Sequence, residues 1–156
     1  IKSLILIDTS SEPEPKDKML RNKAMLLVAK YIGLSPLAGK VMSMFFGPEF
    51  LKDPSRRALR EPWKNHFKSN DRVGIVKAVK GVIFREGITR ELAKISHPAT
   101  IMVGENDQLT DLTKAEILQA HLNNASLHVI PRAGHVSPIE EPAIVNSIIE
   151  EHLHHV

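Results

Sequence analysis

Two side chains in this sequence combine a proton-handling type with a place to use it, Asp107 and His135. Carboxylates and imidazoles are the groups that most often move protons in catalysis. Asp107 lies past the apolar run 99–103, which is entered through Pro98, closed by Gly104 and followed by Glu105, Asn106 and Asp107. Such a run reads as a buried parallel strand, with the acid on the loop beyond its carboxyl end, where open α/β sheets place their chemistry. The same order recurs downstream. Residues 127–130 are apolar and β-prone, Pro131-Arg132-Ala133-Gly134 is a turn, and His135 follows. Singly, an aspartate in a turn or a histidine in a loop has an ordinary place on a surface. At two successive strand ends they form a candidate site.

The elements that must hold these loops follow from hydrophobic periodicity. Residues 3–7, 99–103 and 126–130 read as strands. Asp8 to Ser11 ends the first with turn formers, and Glu12-Pro13-Glu14-Pro15 is a stiff, extended connector. Residues 16–32 read as a helix ending near Gly33, and 36–46 as a second, very apolar one that Gly47-Pro48 breaks. Asp53 is expected to cap a third helix starting at Pro54, which Pro62 should kink or split. Asp71 begins a fourth, 72–84, with Val73, Val76, Val79 and Ile83 inward. Residues 89–94 form a short helix, 111–122 a further one capped near Thr110–Asp111, and 139–153 the last, with Pro142 in its first turn. Strand, helical insertion, strand, helix, strand, helix is an α/β pattern with a lid.

Composition narrows the classes. A hydrophobic fraction of 42% and a charged fraction of 25% are ordinary for a globular domain, and 156 residues suffice for one core. No apolar run approaches the roughly 20 residues of a membrane span. The absence of cysteine excludes disulfides, thiolate catalysis and Cys-ligated zinc, and a cytoplasmic setting is expected. Residues 11–95 hold 18 Lys+Arg against 9 Asp+Glu, and the rest 3 against 9. These charges are spread singly with few aromatics, which suits solvated helix faces and offers no stacking surface for nucleic acid. The first residue already lies in an apolar strand pattern without a preceding Met, so the chain is expected to be a piece of a longer protein.

The motif Ile101-Met-Val-Gly-Glu-Asn-Asp107-Gln-Leu-Thr110, then Ala133-Gly-His135 and Glu141-Pro142, resembles the C-terminal half of an α/β-hydrolase. In that superfamily the triad runs nucleophile, acid, histidine along the chain, and the 28 positions from Asp107 to His135 leave room for one helix and one strand. Many members carry Pro where this chain has Asp111. The resemblance implies an α/β fold, a partial sheet of three parallel strands with a helical cap: residues 1–10 a core strand, 11–88 the cap and 89–156 the C-terminal part of the core. It implies Asp107 as triad acid, orienting the imidazole and stabilising its charged form, and His135 as general base and then general acid. It further implies hydrolysis of a small ester, lactone, thioester or related substrate through a covalent intermediate, with no metal or organic cofactor.

The nucleophile elbow Gly-x-Ser-x-Gly does not occur in this chain. Gly33-Leu34-Ser35-Pro36-Leu37 lacks the second Gly, and Ser35 reads as an N-cap. The nucleophile, Ser or Asp, is therefore expected upstream, and the chain alone is expected to be inactive. Met42, Met44, Phe45 and Phe46 are candidates to line an apolar substrate pocket under the lid. Trp63 reads as packing. His152, His154 and His155 beside Glu150 and Glu151 read as a frayed end, and His66, His97, His121 and His128 show no ligand spacing. The expected partners are a small-molecule substrate, the missing N-terminal half and a possible second copy, with neither nucleic acid nor membrane. Two alternatives share the fold: a non-catalytic small-molecule-binding or signalling member, and a partner module acting through its open sheet edge.

Overall fold

The computed structural model describes residues 1–155. Three parallel strands, β1 (Leu4–Ile7), β2 (Ala99–Gly104) and β3 (Ala125–Ile130), lie in the order β1-β2-β3 among them. Leu4 pairs with Ala99 and Ile7 with Met102; Ala99 pairs with Ala125 and Gly104 with Ile130. Every residue of β2 is buried, which is why this strand reads as a largely apolar run, with the Thr100 hydroxyl bonded to Ser126 and His152. Its side chains alternate between two cores. Ala99, Ile101 and Val103 pack with Leu92, Ala115, Leu118 and Leu122, the last three belonging to or bordering α6 (Leu112–His121). Met102 packs with Ile130, Ala133 and Val145, the last on α8 (Pro142–His154).

The chain from β1 to β2 carries α1 (Lys16–Tyr31), α2 (Ala38–Phe45), α3 (Pro48–Lys52), α4 (Arg57–Ser69) and α5 (Arg72–Ile83), and α7 (Ser137–Glu140) precedes α8. The chain divides into two compact units. One holds the sheet and consists of Ile1–Ser11, Ser43–Asp53 and the chain from Ile88 onward; the other consists of Glu12–Met42 and Pro54–Gly87. The sequence pattern places all of 11–88 in the insertion, whereas Ser43–Asp53 clusters with the sheet. Two long-range bonds hold it there: the Gly47 amide donates to Glu140 Oε2, and the Phe45 carbonyl accepts from the His135 amide. In the helical unit α1 packs on α5, with Ala29 and Ile83 buried there. Asp71 caps α5 by accepting from the amides of Val73 and Gly74. Among the described residues no helix is long and apolar enough to cross a membrane.

Several local expectations are corrected. Gly47-Pro48 starts a helix rather than only ending one, with Gly47 as the capping residue and Pro48 in the first turn of α3. Asp53 closes α3, its amide donating to the Glu49 carbonyl, and α4 begins at Arg57 after a 3-10 turn, Pro54–Arg56. Pro62 lies inside α4 and does not split it. The carbonyl deprived of its amide partner there belongs to Ala58, an exposed residue that water can reach. Ser35 is the first residue of a 3-10 turn, Ser35–Leu37, for which Leu34 holds the capping position without a side-chain bond.

Candidate active site

The site is built on the carboxyl ends of all three strands of the sheet unit. β2 ends at Gly104, and the turn beyond it presents Asp107, whose amide returns to the Gly104 carbonyl at 3.1 Å. The carboxylate makes four hydrogen bonds. Its Oδ1 accepts from the amides of Leu109 at 2.8 Å and Thr110 at 2.9 Å. Its Oδ2 accepts from the Thr110 hydroxyl at 2.8 Å and lies 2.9 Å from His135 Nδ1. A carboxylate only accepts, so Nδ1 carries the proton and Nε2 keeps the lone pair of the neutral ring. The Asp107 side chain is fully enclosed, and the His135 side chain keeps 21% of its surface exposed. Burial pushes the Asp107 pKa up. Bonds from His135, Thr110 and Leu109 more than offset this and hold it below its ordinary 3.8.

β3 supplies the histidine. After Ile130 the chain turns through Arg132, which has a positive φ of 63° and gives its amide to a Glu105 carboxylate oxygen. The following loop is anchored by its own amides. Gly134 donates to Glu140 Oε1 at 2.7 Å, His135 to the Phe45 carbonyl at 2.7 Å, and Ser137 to Asp8 Oδ2 at 2.9 Å. Close approach of three backbones demands glycine here. A Cβ on Gly104 would stand 2.0 Å from the Gly134 carbonyl oxygen, and one on Gly134 2.5 Å from the Gly47 nitrogen.

Beside His135 lies an open hollow of about 340 Å³, lined by Ile7, Asp8, Phe45, His135, Val136, Pro138 and Ile139. Of the four expected pocket residues, Phe45 lines it and meets the imidazole edge-on, with centroids 5.4 Å apart. The others do not. Phe46 points elsewhere on the same helix end and stacks on buried Phe50. Met42 is buried and belongs to the helical unit, and Met44 is half-buried. His152 is no frayed end: it is buried on α8 with Nδ1 2.8 Å from the Thr100 hydroxyl. Among the described residues no three His, Asp or Glu side chains gather in a way that could hold a metal ion.

Thr110, Asp8, Ser137 and Glu140 take part in the site, and sequence reasoning passed over them. Asp8 carried a signal, since it follows an apolar strand just as the acid turn follows β2. Thr110 lies three residues from Asp107, within reach of a local turn that its type permits, whereas Ser137 and Glu140 carried no signal, because their bonds to Asp8 and Gly47 join segments far apart in the chain.

No protein-family model matches the chain. Over 118 residues it is 24% identical to 3-oxoadipate enol-lactonase 2 of Acinetobacter baylyi, covering 76% of this chain and 43% of that protein. Among solved structures it superposes with a TM-score of 0.82 on MGS-M2, an α/β-hydrolase enzyme from a deep-sea metagenome library, at 22% identity over 96% of this chain and 55% of that one. The chain carries part of the α/β-hydrolase fold. A thermophilic esterase from Thermogutta terrifontis matches with a TM-score of 0.87 and 23% identity, and the enol-lactonase from Burkholderia xenovorans with 0.87 and 17%, each over 98% of this chain and 56% of the other. The chain thus spans a little over half the length of these α/β-hydrolase-fold structures, and less than half that of the curated lactonase.

Proposed function

We propose that this chain supplies the acid and the base of a nucleophile–histidine–acid triad in a hydrolase of the α/β-hydrolase superfamily. The substrate is a small ester, lactone, thioester or related compound, and the nucleophile lies on a part of the protein outside this chain. One observation carries the reading: the bond between His135 Nδ1 and Asp107 Oδ2, 2.9 Å long, made by two side chains presented from successive strand ends.

The chemistry follows from that bond. With Nδ1 protonated, Nε2 can take the proton of a nucleophile as it attacks the substrate carbonyl, and the enclosed Asp107 carboxylate stabilises the imidazolium that forms. Nε2 then returns the proton to the leaving group. The covalent intermediate is released by water through the same base in a second round. The Phe45 wall of the hollow suits an apolar substrate group.

The test is hydrolysis of a generic aryl ester by the full-length protein. Asp107→Asn keeps the shape but allows the wrong tautomer, and turnover is expected to fall by about 10⁴-fold. Equal turnover in both proteins would refute the reading. Residues 1–156 alone are expected to hydrolyse no faster than buffer. Activity of this piece that vanishes with Ser35→Ala would instead make Ser35 the nucleophile.

A further inference from the structure

Besides Asp107, two carboxylates are buried in the sheet unit, Asp8 and Glu140. Removing a carboxylate from water costs several kcal/mol unless fixed donors replace the water. Here many of those donors are backbone amides flanking His135. Glu140 joins Gly134, on one side of the histidine, to Gly47, with 2.7 Å to each amide. Asp8 joins the other side to the acid turn. Its Oδ2 accepts from the Ser137 amide at 2.9 Å and the Ser137 hydroxyl at 2.8 Å, and its Oδ1 accepts from the Gly104 amide at 3.0 Å. Gly104 is the residue whose carbonyl takes the Asp107 amide. One carboxylate at the end of β1 therefore fixes the spacing between the turn that carries the acid and the loop that carries the base.

Two further facts bear on Asp8. Its φ of 46° is in the left-handed region, uncommon for a residue other than glycine, so the backbone is bent to bring this carboxylate into place. Burial also pushes the pKa of Asp8 up, as it does that of Glu140, and the hydrogen bonds only partly counter it. Ionising either group in the fold thus costs some stability, which fits a role in geometry better than one in stabilisation.

We infer that Asp8 is a positioning residue: by clamping Gly104 and Ser137 to one carboxylate it sets the His135 ring against Asp107, with Glu140 as the second clamp on the same loop. This rests on the reading of Asp107 and His135 as an acid–base pair. Asp8→Asn is the discriminating substitution. It preserves volume, but an amide can accept on one side only, so its NH₂ must face the Gly104 or the Ser137 donor.

The experiment reads the ring nitrogens of His135 by ¹⁵N NMR in the histidine-labelled full-length protein, at a pH where the imidazole is neutral. His135→Gln provides the assignment. The wild type is expected to hold the Nδ1–H tautomer. Folded Asp8→Asn should show a mixed tautomer, with Ser137→Ala displaced the same way but less, and kcat for the aryl ester should fall by about 10²-fold with KM little changed. Wild-type ring shifts in folded Asp8→Asn would overturn the proposal and leave Asp8 a merely structural residue. Should Asp8→Asn not fold, unchanged shifts in Ser137→Ala overturn it equally. Failure of the hydrolase reading is separable, since wild type would then show no turnover while the tautomer comparison stays readable.

Discussion

At the scale of single residues, the site sets one stabilised carboxylate among two destabilised ones. Asp107 is enclosed, yet its bonds hold its pKa below 3.8. A depressed folded pKa contributes stability that is fully present above the ordinary value and is lost as pH falls through the folded one. Asp8 and Glu140 are raised from 3.8 and 4.5, which has the opposite sign: their destabilisation develops as pH rises from those values through the folded ones. Denaturant unfolding across a pH series is therefore expected to separate the groups. The stability lost in Asp107→Asn should shrink as pH drops below 3.8. Glu140→Gln should flatten the pH dependence above 4.5. A Glu140→Gln profile parallel to wild type would contradict the assignment. The types and order of Asp107 and His135 were legible in the sequence. The bond that joins them was not, because it spans 28 residues and two strand ends, whereas the other three bonds on Asp107 come from Leu109 and Thr110 in its own turn.

At the scale of elements, the strands were read within a residue or so, and the helices less well. The strands are marked by apolar runs closed by Gly or a turn. The stretch 46–57 carries two prolines and a glycine, which sequence rules treat as breaks, yet Pro48 opens α3 and the helix ends only at Lys52. Glycines make the clearest contrast between elements. Gly104→Ala would drive a methyl group into two backbone carbonyls that cannot move aside, at 2.0 and 2.6 Å. The expected destabilisation is about 3 kcal/mol or more. Gly81, in α5, has no atom within 4 Å of an added Cβ. Gly81→Ala should stabilise by roughly 0.5–1 kcal/mol through helix propensity. Urea midpoints of the two variants check both signs, and a Gly104→Ala protein as stable as wild type would show that the three backbones are not in contact.

At the scale of the whole chain, charge follows the compact units. The helical unit holds 15 Lys+Arg against 6 Asp+Glu, and the sheet unit 6 against 12. β1 stands at one edge of the sheet, a short apolar strand paired only with β2 among the described residues. An open apolar edge is a template for another strand, and the apolar surface beside it gains roughly 25 cal/mol per Å² on burial. Residues 1–156 are expected to sediment as a self-associated species, or as a complex when the remainder of the fold is supplied. A monomer at every concentration, indifferent to that remainder, would refute the open-edge argument. By itself the sequence determined the strands, their parallel α/β order, the helical insertion and the two residues of opposite proton affinity, since each is written in local periodicity and turn chemistry. Only the tertiary structure decided that Ser43–Asp53 belongs with the sheet, that Phe45 rather than its neighbours faces His135, and that Asp8 and Glu140 hold the histidine loop. Those outcomes depend on which backbone amides meet which carboxylates across separations of 93 and 129 residues, and no local pattern encodes such a meeting.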